Sequence, residues 1–328
     1  MFVARDYADG RKADNIGYAN FHMKILNSNQ EVVYPSASLQ KVMTGAMIVQ
    51  LINETSHSKD PVTQNSLLSR WYPNMKKANQ ITVGNLMTQT SGIIDTKSES
   101  YSGKVLSESA AIEATVHRIN HNGLASKGIF RYNNDNYILL AGIIRKVTGK
   151  SYAQNFESRI VRRLGLDSTY MWNTVPGKRV KAVSYLYSAG KDYKHAKEPK
   201  NNLLSYILGA GNIYTTPEDY YKFQQGLQNG KILNASDYHY LTNLKTKNGT
   251  YSGGLYIQSY KHGDGTIKMV YGSLNADNYG NWVELTSGNK KGIIMFLNQT
   301  DVVDHSVESP IKSAGLKILD QFNPNIFR

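Results

Sequence analysis

The chain has 328 residues, enough for one large or two medium domains, and its 40% hydrophobic content with 27 glycines reads as globular, not disordered or collagenous. The absence of cysteine excludes disulfides, thiolate metal sites, iron–sulfur clusters and a cysteine nucleophile. Lys and Arg number 38 against 25 Asp and Glu, and the net charge of +13 implies an anionic neighbour: nucleic acid, a membrane surface or a wall polymer.

The first residues, Met1 to Asp6, lack the apolar core of a secretory signal, so the expectation is a chain that is cytoplasmic or has lost a leader or anchor. Residues 16–26 and 31–34 predict a hairpin turning through 27–30, where Asn and Ser favour turn geometry. From Ser38, the run 42–52 is apolar nearly all round and predicts a core helix. Residues 137–144 predict a second buried helix after a polar loop. Near the C-terminal end, 254–260 and 266–271 flank Lys261-His262-Gly263-Asp264-Gly265, whose Asp-Gly is a hairpin signal. Residues 282–285 and 292–298 predict two more strands, and Ser309-Pro310 opens a closing helix. No apolar stretch, 293–297 included, approaches the roughly 20 residues a membrane-spanning helix needs. If the strands at both ends share one antiparallel sheet, residues 1–60 and 250–328 form a discontinuous sheet domain around a mainly helical domain of 61–249.

The candidate chemistry starts at Ser38-Leu39-Gln40-Lys41. A spacing of three on a helix brings hydroxyl and amine together, and a serine in the first turn places its N–H where an oxyanion is stabilised. A partly desolvated lysine loses affinity for its proton and acts as the base that activates the hydroxyl. Ser-x-x-Lys alone is weak, since it occurs at Ser38, Ser56, Ser188, Ser287 and Ser309. Only Ser38 has a strand before it and a buried helix after it; the bland alternative is a helix cap. Tyr132-Asn133-Asn134 supplies a proton relay and a polar amide if Tyr132 faces Lys41. Tyr-x-Asn recurs at Tyr18, Tyr72 and Tyr279, but only Tyr132 precedes a buried helix.

These two motifs, with Ile81-Thr82-Val83-Gly84-Asn85-Leu86-Met87-Thr88-Gln89-Thr90-Ser91-Gly92-Ile93, Gly149-Lys150-Ser151-Tyr152, Leu164-Gly165-Leu166-Asp167-Ser168-Thr169 and the block opening Gly209-Ala210-Gly211-Asn212, resemble the class C β-lactamase-like branch of penicillin-recognising serine hydrolases. The blocks follow the family's order from about residue 16 to 298. The resemblance implies an α/β fold of the α+β kind, an antiparallel sheet flanked by helices and packed against a helical domain, with the active site between them and no cofactor or metal. It implies Ser38 as nucleophile, Lys41 as base or co-base, and Tyr132 with Asn134 as second motif, Asn134 orienting the substrate; it leaves open whether Lys41 or Tyr132 is the main base.

The third motif departs from the pattern. Relatives carry Lys-Thr-Gly or His-x-Gly on the strand beside the nucleophile, where the cation holds a substrate carboxylate. Lys261-His262-Gly263 matches the letters but lies on the hairpin tip, too far from 296–298 for the family's layout. Val270-Tyr271-Gly272-Ser273 fits that layout, with Tyr271, Gly272 and Ser273 lining the substrate and the Ser273 N–H as second oxyanion donor. Val270 then stands where the cation belongs, and the lost charge-assisted hydrogen bond is worth about 1.5–3 kcal/mol.

A D-alanyl ester on teichoic acid has no carboxylate at the scissile end and sits on a polyanion. Some relatives with degenerate third motifs are D-alanyl esterases, so the expected activity is ester hydrolysis by a monomeric enzyme at the surface of a Gram-positive-type bacterium. The partner is an anionic wall polymer or peptidoglycan, not nucleic acid, and any membrane anchor lies outside these residues. The alternatives are a D,D-carboxypeptidase or β-lactamase, and a catalytically weak wall-binding protein. His117 and His121 have helical metal-pair spacing without the glutamate of a zinc hydrolase and read as an exposed pair. The basic, Tyr-containing stretch 178–200 reads as a solvated loop over a cleft, and Tyr220-Tyr221 as helix packing.

Overall fold

The computed structural model describes residues 2–4, 11–13, 15–94, 98–186, 196–246, 249–259, 265–274, 279–300 and Lys317. The expected tip at 261–264, the closing helix from Ser309 and residues 187–195 of the basic stretch lie outside the described residues.

In chain order the strands are β1 (Phe2–Ala4), β2 (Arg11–Ala13), β3 (Tyr18–Asn20), β4 (Ile25–Leu26), β5 (Val32–Pro35), β6 (Tyr170–Met171), β7 (Val180–Lys181), β8 (Ser184–Leu186), β9 (Ala196–Lys197), β10 (Ile213–Thr215), β11 (Tyr251–Ser252), β12 (Leu255–Ser259), β13 (Thr266–Leu274), β14 (Tyr279–Thr286), β15 (Gly292–Leu297) and β16 (Gln299–Thr300). The helices are α1 (Gln40–Glu54), α2 (Val83–Met87), α3 (Glu108–Asn122), α4 (Asn134–Thr148), α5 (Tyr152–Phe156), α6 (Arg162–Leu164), α7 (Asn201–Tyr206), α8 (Pro217–Gly226) and α9 (Ala235–Thr242).

The main sheet is antiparallel throughout, in the order β11-β12-β13-β14-β15-β1-β2. Strands from both ends of the chain therefore share one sheet. The C-terminal strands expected from sequence are present, β13 and β14 running longer than their apolar cores. β14 is buried along nearly its whole length, which requires cover on both faces.

The expected hairpin near the N-terminus is different. β3 turns back at once onto β4, whereas β5 leaves to pair with β10 antiparallel and β7 parallel in a separate four-stranded sheet. The polar stretch 27–30 is a connector between sheets, not a hairpin tip. Asn27 uses its side chain to bridge the Ile16 carbonyl (2.7 Å) and the Tyr34 hydroxyl (2.7 Å), so turn-forming residues here satisfy tertiary bonds.

Helix α1 is buried continuously from Gln40 to Leu51, as its all-round apolar surface requires. Close approach at its start depends on Gly254, whose φ of +96° is left-handed and where a Cβ would stand 2.6 Å from the Val42 nitrogen. The core is rich in tyrosine, and burying a phenol demands a partner for its hydroxyl. Tyr72 donates to the Leu139 carbonyl (2.6 Å), Tyr137 to Met87 (3.1 Å), Tyr220 to Leu39 (3.1 Å) and Tyr279 to Ala182 (2.6 Å). Each ties a sheet or helix to a distant backbone segment. Tyr220 and Tyr221 on α8 are both buried, so they serve packing, as expected.

One buried group is costly. Lys268 on β13 is 1% exposed, its Nζ makes no hydrogen bond among the described residues, and it lies 5.4 Å from the centre of the Tyr238 ring. Burial pulls its pKa down from 10.5 to about 7. Between those values the unfolded chain holds a proton that the folded chain lacks, so stability rises with pH from about 7 towards 10.5 and is lower, and flat in this respect, below 7. Each unit of depression corresponds to about 1.4 kcal/mol. Lys268→Met is expected to raise the denaturant midpoint at pH 6.5 and to remove most of this rise; urea melts at pH 6.5, 8 and 9.5 measure it.

Candidate active site

Ser38 lies in a 3-10 turn, Ala37–Leu39, that leads from β5 directly into α1. Its side chain does not cap the helix. Instead the Lys41 Nζ donates to Ser38 Oγ at 2.8 Å, one helical turn along, as the i,i+3 spacing demands. Ala37 has a φ of +46°, a left-handed conformation that a non-glycine residue adopts at a cost. The strain sits immediately before the serine, and Ser38 is half-buried, reachable at the end of a buried helix.

The Lys41 side chain is fully buried, and its Nζ also donates to Asn134 Oδ1 (2.7 Å) and the Ala210 carbonyl (2.8 Å). Three partners from three separate segments surround the nitrogen, which as an ammonium donates to all three and as a neutral amine donates to Asn134 and Ala210 and accepts from the Ser38 hydroxyl. Asn134 opens α4, and its Nδ2 donates to Ser98 Oγ at 3.1 Å. The amide expected to orient the substrate thus holds Lys41. Asn133 caps α4 by accepting from the Asp135 N–H, while its own N–H donates to Gln89 Oε1 (3.0 Å). That loop is therefore fixed from both sides.

The Tyr132 ring lies under Lys41, with Nζ 5.0 Å from the ring centre, and its hydroxyl is near enough to Ser38 to feel it electrostatically. Burial, reinforced by the phenols of Tyr251, Tyr256 and Tyr271, pushes the Tyr132 hydroxyl well above its ordinary 10; Ser38 offsets this only in part. Tyr132 is consequently a protonated donor at neutral pH.

The strand expected beside the nucleophile is β13. β12 pairs with it only from Thr266 to Met269, while β14 pairs along it as far as Leu274. The section 270–274 therefore presents its other edge to the turn that carries Ser38. Gly272 touches that turn: a Cβ there would lie 2.7 Å from the Ser38 nitrogen and 2.8 Å from the Ser36 carbonyl oxygen. Asn281, opposite Gly272 on β14, donates to the carbonyls of Pro35 (2.8 Å) and Ser36 (3.0 Å). Val270 shares the Gly272 face by strand alternation and is buried. Tyr271 points to the opposite face, stacked between Tyr256 (centroids 6.0 Å apart) and Trp282 (5.6 Å).

The structure thus brings Ser38, Lys41, Tyr132, Asn134 and the Tyr271–Ser273 strand together. Ser98, Asn281, Tyr251, Tyr256 and the part played by the Ala210 carbonyl escape sequence reasoning, because nothing in their spacing ties them to Ser38 or Lys41. Among the other Ser-x-x-Lys matches, Ser56 only bonds its own turn, donating to Asn53 (2.8 Å). His117 and His121 are exposed on α3, and no group of residues fit to hold a metal exists among the described residues. No helix among them is long and apolar enough to cross a membrane.

The Beta-lactamase family model matches residues 3–311. The chain belongs to the beta-lactamase family. It is 29% identical over 312 residues to the teichoic acid D-alanine hydrolase of Staphylococcus aureus, covering 94% of this chain and 71% of that protein. The crystal structure of FmtA from Staphylococcus aureus superposes with a TM-score of 0.78 at 26% identity, over 98% of this chain and 83% of that one. D-amino acid amidase from Ochrobactrum anthropi shares the fold, with a TM-score of 0.79 at 20% identity over 98% of this chain and 93% of that one.

Gly272→Ala forces a methyl into the Ser38 turn. It is expected to lower kcat/KM at least 100-fold while shifting the melting temperature by only a few degrees, measured by ester hydrolysis and calorimetry on the same samples. Asn134→Ala removes a bond to Lys41 and is expected to lower kcat with little change in KM.

Proposed function

We propose that this protein is a serine hydrolase that removes D-alanine from teichoic acid esters at the surface of a Gram-positive-type bacterium, acting as a monomer. The observation that carries the reading is Ser38 held between Lys41 and Tyr132 beside a strand whose cation position is Val270. The similarity to a teichoic acid D-alanine hydrolase and the net charge of +13 support the substrate class. In this reading residues 1–60 and 250–328 form the sheet domain and 61–249 the helical one, with the site between them.

Ser38 Oγ attacks the ester carbonyl carbon while its proton passes to the neutral amine of Lys41. The N–H groups of Ser38 and Ser273 receive the oxyanion. The Tyr132 hydroxyl protonates the departing polymer alkoxide and is reprotonated from Lys41. Water then attacks the D-alanyl ester of Ser38, giving up its proton to Lys41; as the bond from the acyl carbon to Ser38 Oγ breaks, Lys41 returns that proton to Oγ, and D-alanine leaves. A raised Tyr132 pKa favours this assignment of base and acid over its reverse.

D-alanylated lipoteichoic acid, a D-alanyl-D-alanine peptide and a chromogenic β-lactam, each offered to wild type and to Ser38→Ala, test the proposal. D-alanine released from the polymer alone, and only by wild type, is expected; rapid β-lactam turnover overturns it. Affinity for the polymer should fall steeply from low to physiological salt. Val270→Lys is expected to raise the rate of β-lactam acylation about 10-fold or more, read by mass spectrometry of the acyl-enzyme, since it restores a charge-assisted bond of about 1.5–3 kcal/mol. The kcat/KM of wild type should show no loss from Tyr132 ionisation up to about pH 10.

A further inference from the structure

A general acid is useful only where its proton meets the leaving oxygen. A phenol carries its hydroxyl at the far end of a rigid ring, so a small rotation of the main chain at Tyr132 becomes a large displacement of the acid. The constraint on that main chain comes from the 81–93 block, just after α2. There the carbonyl of Gln89 accepts from the Arg131 N–H (2.8 Å), that of Thr90 from Gly128 (2.8 Å) and that of Gly92 from Ala125 (2.7 Å). The side chain of Gln89 adds a further bond, its Oε1 accepting from the Asn133 N–H (3.0 Å). The residues on either side of Tyr132 are thus both bonded to Gln89, one through its main chain and the other through its side chain.

Gln89 occupies this place at a cost. It is fully buried, and its φ of +60° is left-handed. Lys24 and Lys77 share that conformation but lie in exposed turns. At a buried position such strain persists only where the surroundings hold it, and it clusters at functional sites. Here the holding groups belong to the site's own helix. Gln89 Oε1 also accepts from Asn136 Nδ2 on α4, and Asn136 Oδ1 accepts from Ser91 Oγ (2.6 Å). The Gln89 side chain lies beside the Tyr251 phenol as well, where it offsets part of the effect of burial on that hydroxyl. Tyr251 in turn meets the Tyr132 ring edge-on at 6.0 Å.

We propose that Gln89 is the positioning residue of the Tyr132 acid. It fixes the main chain before and after Tyr132 and backs the ring through Tyr251, so that the hydroxyl stands beside Ser38 where the leaving oxygen departs. The inference rests on the reading of Tyr132 as general acid and names what that acid depends on. Lys41 is held separately, by Asn134 and the Ala210 carbonyl.

Two esters of D-alanine separate placement of the acid from a general loss of structure. A departing methoxide needs a proton, whereas p-nitrophenolate leaves without one. The ratio of kcat/KM for the p-nitrophenyl ester, corrected for spontaneous hydrolysis, to that for the methyl ester therefore reports the acid. A poorly placed serine or lysine slows attack on both esters and leaves the ratio where it was. Tyr132→Phe is expected to raise the ratio about 100-fold. Gln89→Ala is expected to raise it about 30-fold, since a small misplacement of a catalytic group has effects of this order. Gln89→Glu keeps an oxygen for the Asn133 N–H and should bring the ratio back towards wild type. In the Tyr132→Phe background, Gln89→Ala should raise the ratio no further, because both changes act on one group.

An unchanged ratio in a Gln89→Ala protein whose melting curve is cooperative overturns the proposal, as does a further rise in the double variant. If Gln89→Ala does not fold, Gln89→Asn decides. Asparagine tolerates the left-handed backbone but is one methylene too short to reach the Asn133 N–H, so the ratio should again rise, and an unchanged ratio overturns the proposal. Failure of the underlying reading has its own signature: a ratio unmoved by Tyr132→Phe means that Tyr132 is not the acid, and the role assigned to Gln89 falls with it.

Discussion

The site depends on one buried lysine nitrogen. Lys41 Nζ joins Ser38 on its own helix turn, Asn134 at the start of α4 and the carbonyl of Ala210 in the loop before β10. A buried lysine is tolerable only when its charge is compensated and its donors are used. The consequence is structural as well as chemical, because the three segments must meet wherever that nitrogen lies. Lys268 shows the contrast: it is equally buried, lacks such acceptors, and its pKa falls to about 7.

Around this centre the fold supplies rigidity from both sides. The sheet fixes the serine through Gly272 and Asn281, which press on and bond the backbone at Pro35, Ser36 and Ser38. The helices fix the lysine through α4 and the Gln89 contacts beneath Asn133. The positive φ of Ala37 is where these constraints meet, and a strained residue there is held by its surroundings. Pre-organisation of this kind holds Ser38, Lys41 and Tyr132 in one arrangement.

Charge acts in this protein at two ranges. A net charge of +13 acts at long range and is screened by salt. On the strand beside Ser38, position 270 is a buried valine, which adds no short-range attraction for an anion.

Much of this was legible in the sequence. Ser-x-x-Lys between a strand and an all-apolar helix placed Ser38 and Lys41 on one face, since helix spacing is local geometry. The C-terminal strands were visible from their β-branched runs, and the choice of 270–273 over 261–263 followed from spacing along those strands. Other features were decided only by the tertiary structure. Residues 27–30 carry turn-forming chemistry yet connect two sheets, because β5 finds a better-buried place beside β10 than beside β4. Asn134 faces Lys41, and Ser98, Ala210 and Asn281 join the site through contacts between residues far apart in sequence. The tyrosine cluster is the clearest case: tyrosines at 132, 251, 256 and 271 look like ordinary core and surface residues until four segments converge and their rings pack on one another.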